Sequence, residues 1–211
     1  MKNSIDAQTS CKHKKNMEKK KIVKCVIDDG GKLGVGAISL VEFPAIEENF
    51  IALNEVKLAS VNAERRMLYG PALIPNKYIL RIDKNTGEDY YIYFDAATIV
   101  KCAHLYLKKN LQHNTTLEHE FSVMGCPVVE SWIIEGEQDK AYHFGLTAPV
   151  GSWIVGVNVT DDEIWSEVKE GNVKGFSIEG HFNELAVQMQ AVDFEAEILR
   201  EIGALLTGFA G

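Results

Sequence analysis

The chain has 211 residues, 46% hydrophobic and 25% charged, which suits one soluble globular domain with a substantial core plus tails. Its net charge of −8 is unevenly spread: residues 1–24 hold eight lysines against Asp6 and Glu18, leaving about −14 for the remainder. An acidic body argues against nucleic acid as the main partner, and nowhere do 18 apolar residues run together as a membrane span requires.

The lysine-rich leader, residues 1–20, reads as solvated and disordered, without the apolar stretch of a secretory signal. Met17 opens the run MEKKKIVKCVI into a first strand, so residues 1–16 are expected to be an upstream extension with no structural role. Residues 21–28 form that strand. Asp28-Asp29-Gly30-Gly31 then predicts a hairpin into Val35–Val41, and Pro44 ends the second arm. Residues 49–60 fit a short strand or a helix. MLYGPALI, from Met67, reads as a strand bent or bulged at Gly70-Pro71. The clearest hairpin pairs KYILRID with DYYIYF across Lys84–Glu88.

Asp95 is a good N-cap for a helix to about Leu111, with Ile99, Cys102, Ala103, Tyr106 and Leu107 on one side. A polar loop containing TTLEHE precedes a strand over Pro127–Ile134. Residues 136–152 read as a loop, and Trp153–Val159 as a strand. Thr160 and Glu163 have the spacing of a capping box for a short helix ended by Gly171. Next comes GFSIEG, in which Phe176 and Ile178 face one way and Ser177 and Glu179 the other. Residues from about Val187 to Leu206 repeat apolar side chains at helical spacing. Irregular alternation with adjacent hairpins predicts an α+β fold around a mainly antiparallel, barrel-like sheet with flanking helices.

Cys11, Cys25, Cys102 and Cys126 lack paired spacing, so neither a zinc site nor a disulfide framework is indicated. LGVGAI lacks the third glycine of a dinucleotide site, and the acidic cluster Asp161-Asp162-Glu163 is accounted for by helix capping. No cofactor and no metal are expected. Ser177 is a candidate nucleophile that needs a base. It is not a hydrolase elbow, because the segment reads G-x-S-x-x-G within a strand and its helix comes before the serine. Among the histidines, His104 falls on the lysine-bearing side of its helix and His143 in a polar loop. His181 is about 13 Å from Ser177 along one extended strand. Spacing leaves His113 and His119 equal.

Several stretches in order resemble the XkdF-like serine proteases of tailed phages and prophages, a branch of the prohead maturation proteases similar in fold to herpesvirus assemblin. They are ISLVEFPAI, MLYGPALIPNKYILRID, YYIYF, TLEHE, VVESWII, GSWIVGVNVTDDEIWSEVKEG and GFSIEG. The resemblance covers about residues 20–183. It implies a protease domain over 21–183, with 184–211 a C-terminal helix and a candidate scaffold-linking tail. It breaks the histidine tie, matching His119 to the family's histidine motif and Ser177 to its serine motif.

The implied chemistry is serine endopeptidase action, with His119 as the base for Ser177. For the residue that orients the imidazole, Glu130 in VVESW is the choice; Glu179 shares a face with Ser177 but is displaced along the strand by roughly 7 Å. The implied substrates are scaffold and major capsid protein, with self-cleavage, inside an assembling procapsid in the host cytoplasm. Assemblin-like enzymes further suggest a homodimer. The rival reading is a non-catalytic structural or scaffold-associated protein that keeps the fold, since strand packing alone explains Phe176, Ile178 and the glycines. A weaker third is a hydrolase of small esters.

Overall fold

A computed structural model describes residues 21–28, 32–46, 51–53, 65–83 and 85–186. The leader, the helix expected over about 187–206 and most of the 49–60 segment therefore lie outside the described residues. With elements numbered in chain order, the strands of the described residues form three four-stranded sheets. The first runs β12 (Asn183–Ala186), β1 (Lys21–Val26), β6 (Asp89–Tyr93), β5 (Ile79–Ile82). The second runs β3 (Ile51–Leu53), β4 (Met67–Leu73), β10 (Trp153–Asn158), β9 (Val128–Ile133). The third runs β11 (Gly175–His181), β2 (Gly34–Val41), β7 (Thr115–Leu117), β8 (Phe121–Val123).

The fold is α+β, mostly sheet with few helices, and its ladders are antiparallel except β1–β6 and β2–β7. The sheets are not closed into a barrel, which corrects that part of the expectation. A second correction concerns the hairpin expected from residues 21–41: β1 and β2 belong to different sheets. The reason is partnering: β6 and β12 occupy both edges of β1, and β7 and β11 both edges of β2, so neither strand keeps an open edge for the other.

The tyrosine-rich hairpin forms as read, β5 pairing with β6 in register. The bend in β4 appears as a register shift against β10 beside Pro71, where a missing amide donor is tolerated. Helix α1 (Ala96–Lys108) starts at Asp95, whose carboxylate accepts from the Thr98 amide at 2.8 Å. It packs Ile99, Cys102, Ala103 and Tyr106 into the core, with the Tyr106 ring edge-on to Trp153 at 5.5 Å. A four-residue helix, α2 (Lys140–His143), lies within the stretch expected to be loop.

Helix α3 (Asp162–Glu170) is capped one residue later than expected, which is a third correction. Asp161 accepts from the amides of Glu163 and Ile164, while the Thr160 hydroxyl donates to the Gly125 carbonyl. A carboxylate in reach of two amides outcompetes a hydroxyl already engaged elsewhere. Gly171 closes α3 at φ 76°, the left-handed conformation that favours glycine.

Two stability predictions follow from α1. Asp95 also pairs with Lys24 at 2.5 Å, and that bond, then the one from Thr98, holds its carboxyl down to about 2. Because the folded value lies below the unfolded value of about 3.9, the stabilisation is present above pH 4 and is lost as pH falls from about 4 to 2. Acid unfolding followed by circular dichroism should show that component in the wild type and lack it in Asp95→Asn. The Tyr106 hydroxyl is buried without a hydrogen-bond partner among the described residues. Tyr106→Phe is expected to raise stability by about 1 kcal/mol in denaturant titration, because a desolvated donor is removed at almost constant shape.

Candidate active site

The site is assembled on the third sheet, around its central strand β2. On β11, Phe176 is buried in the core and Ile178 packs against it, so Ser177 and Glu179 take the opposite face. Ser177 stands opposite Ser39 of β2, and Ser39 opposite Thr116 of β7, so three hydroxyl-bearing residues line up across three strands. Directly opposed side chains have Cβ atoms about 4.5–5.5 Å apart. Gly180 lets this end of β11 close on β2, since a Cβ there would run into the Gly34 backbone.

His119 enters from the tight turn between β7 and β8. Glu118 and His119 are both left-handed, at φ 52° and 61°, a conformation costing roughly 1–2 kcal/mol for each non-glycine residue. Hydrogen bonds hold the turn there. The Glu118 amide donates to the Leu40 carbonyl at 3.0 Å, and the Glu118 carboxylate accepts from the Glu42 amide at 2.6 Å. The His119 amide donates to Ser39 Oγ at 3.0 Å. The turn is thereby folded back over β2, and Ser39 is the shared neighbour of the His119 backbone and Ser177.

The ring is held by Glu179, whose Oε1 lies 3.2 Å from His119 Nδ1 and also accepts from the Thr116 hydroxyl. A carboxylate can only accept, so Nδ1 carries the proton of the neutral ring and Nε2 is the basic nitrogen. The two side chains are 42% and 35% exposed, and such a pair contributes little to stability. Its consequence is orientation: it fixes both the tautomer and the ring plane.

The structure thus brings His119 and Ser177 to one patch, with Glu179 beside the imidazole. It sets Glu130 elsewhere, in the second sheet. There the Glu130 carboxylate accepts from the Tyr69 hydroxyl and pairs with Lys140, whose ammonium stands 3.9 Å over the Trp132 ring. Burial works to raise the Glu130 carboxyl, but the bonds from Lys140 and Tyr69 outweigh it and hold it below the ordinary range. Burial, followed by the bond to Glu130, pushes the Tyr69 phenol up to about 12. That cluster anchors the outer face of β9.

His104, His113, His143 and His181 are all exposed. Cys25, Cys102 and Cys126 are buried, and burial pushes their thiols up to about 11, 12 and 11, so none is a thiolate at neutral pH. Asp161 and Asp162 are taken up by capping and by Arg66 at 2.6 Å. Among the described residues no group of three acidic, histidine or cysteine side chains could hold a metal ion.

The sequence reading missed Ser39 and Thr116. Ser39 carried a signal: in ISL it repeats the pattern of FSI, a hydroxyl inside an otherwise apolar strand, and such a group needs a polar partner when buried. Thr116 carried none beyond its place three residues before His119.

A family model described as "Putative phage serine protease XkdF" matches residues 55–185, which take in His119, Ser177 and Glu179. The uncharacterized protein YqbD of Bacillus subtilis (strain 168) is 27% identical over 156 residues, covering 74% of this chain. The matched region spans 44% of that relative's length. No solved structure matches.

Proposed function

The chain belongs to that XkdF family, and from this premise we propose that it is a serine endopeptidase of phage procapsid maturation. The observation that carries the reading is the His119–Glu179 contact, made by a turn anchored on Ser39, the cross-strand neighbour of Ser177. His119 Nε2 takes the Ser177 Oγ proton as that oxygen attacks the scissile carbonyl. The imidazolium then protonates the departing amine, and water hydrolyses the acyl-enzyme with His119 again as base. Glu179 keeps Nδ1 protonated and steadies the imidazolium as it forms.

In this reading the substrates are scaffold, the N-terminal region of the major capsid protein and the enzyme's own chain, cut inside a procapsid in the host cytoplasm. A homodimer, an assemblin-like arrangement and a scaffold-linking role for residues 184–211 belong to the same proposal. The test is co-expression with the capsid protein encoded beside it, read by intact mass. Trimming by the wild type and none by Ser177→Ala is the expected result; equal trimming by both overturns the mechanism.

A further inference from the structure

Glu179 has to cross a strand to reach the imidazole. It stands opposite Ala37 of β2, whereas Thr116 and His119 belong to β7 and the turn that follows it. Two local features let it cross. The ladder shifts register between Glu179 and Gly180, a bulge of the kind that re-aims a side chain. Ala37 shares a face with Glu179 and sets only a methyl beneath it.

Crossing alone does not keep the carboxylate there. A glutamate side chain turns about several bonds and loses rotamer freedom when it is fixed. The Glu179 side chain is 35% exposed, so water competes for its carboxylate. The 3.2 Å contact with His119 Nδ1 is too exposed to hold it unaided. A second tie is the Thr116 hydroxyl, which donates to the same oxygen, Oε1. A carboxylate oxygen has two lone pairs, and with one taken by Thr116 the other is left for the imidazole N–H.

Thr116 is a firm anchor. Its β-branched side chain is stiff at χ1, and β7 is paired on both flanks, with Thr116 opposite Ser39 on one side and Ser122 on the other. Its neighbour Thr115 takes the opposite face, is fully buried and donates to the Cys126 carbonyl at 2.7 Å. Of these adjacent threonines, Thr115 serves the core and Thr116 the site.

Resting on the protease reading, we infer that Thr116 is a positioning residue of the reaction. Its hydroxyl keeps the Glu179 carboxylate on His119 Nδ1, and so keeps the basic lone pair on Nε2. With a methyl in place of that hydroxyl, Glu179 turns out to water and the neutral ring carries its proton on either nitrogen. Where the proton sits on Nε2, the position that should accept the Ser177 proton is already filled.

The test compares Thr116→Val, which keeps the shape, with Thr116→Ser, which keeps the hydroxyl. Nitrogen-15 NMR of the full chain at about pH 8, where an imidazole is neutral, reads the His119 tautomer, the ring being assigned by its loss in His119→Ala. Trimming of the purified capsid protein encoded beside it gives kcat and KM. Thr116→Val is expected to show a mixture of tautomers and to lose about tenfold to thirtyfold in kcat at unchanged KM. Thr116→Ser should hold both near the wild type. Made on top of Glu179→Ala, Thr116→Val should add no further loss, because it acts through that carboxylate.

A wild-type tautomer or an unchanged kcat in Thr116→Val overturns the role and leaves the protease reading standing. An equal loss in Thr116→Ser, or a further loss in the Glu179→Ala background, does the same. If the wild type cuts nothing, the protease reading fails and the tautomer decides by itself. A mixture in Thr116→Val then keeps Thr116 as the residue that holds Glu179 on the ring, and an unchanged ring overturns it.

Discussion

Ser177→Ala and His119→Ala are each expected to lower turnover about 10⁴-fold or more, to the level that binding alone supports. Both changes should leave the fold intact. Ser177 is 5% exposed on a strand whose other face is anchored by Phe176, so alanine keeps the packing and removes only the hydroxyl. His119 is largely solvent-facing, and the bond that anchors its turn is made by its amide, which alanine retains. Loss of trimming with unchanged circular dichroism therefore reports on chemistry. The His119→Ala site should also regain activity when millimolar imidazole is added, since only a base is missing. Unimpaired trimming by either variant would remove that residue from the mechanism.

The second large effect separates two carboxylates. Glu179→Gln is expected to cost about 10²- to 10⁴-fold in kcat, because an amide at this position no longer holds Nδ1 as the protonated nitrogen and no longer balances the imidazolium. The pH–rate profile should shift as well, a readout that a merely structural role would leave unmoved. Glu130→Gln is expected to leave turnover alone and lower stability by no more than about 1 kcal/mol, since Glu130 and Lys140 are both partly exposed and glutamine still accepts from the Tyr69 hydroxyl. The reverse pattern would restore Glu130 to the role first assigned to it.

The contrast between these carboxylates shows where reading a sequence stops. Displacement of Glu179 by two residues from Ser177 looks disqualifying if the histidine must sit squarely opposite the serine. The left-handed pair at Glu118–His119 changes that geometry by folding the turn back across β2, where the displacement becomes the reach required. Nothing in TTLEHE announces consecutive positive φ angles, because neither residue is glycine. Elements governed by neighbouring residues were legible: the β5–β6 hairpin by alternation, α1 by Asp95, the end of α3 by Gly171, and β9, β10 and β11 by apolar content. Those governed by distant partners were not. β7 has three residues, too few to display a period, and exists because Ile38–Leu40 offers it a parallel ladder. The split of β1 and β2 into separate sheets depends likewise on β6, β7, β11 and β12, all far along the chain.

The placement of Ser177 and Glu179 on one strand has a consequence for when the protein is able to act. β11 pairs with β2 alone within its sheet, and it brings both the hydroxyl and the carboxylate that holds the imidazole. A chain emerging from the ribosome presents Ser39 and His119 well before either arrives. In the proposed mechanism, until residue 179 has cleared the exit and β11 has docked, the growing polypeptide has neither the nucleophile nor an oriented base. Detachment of that edge strand would remove both together, so the proposed mechanism makes competence depend on one docking event.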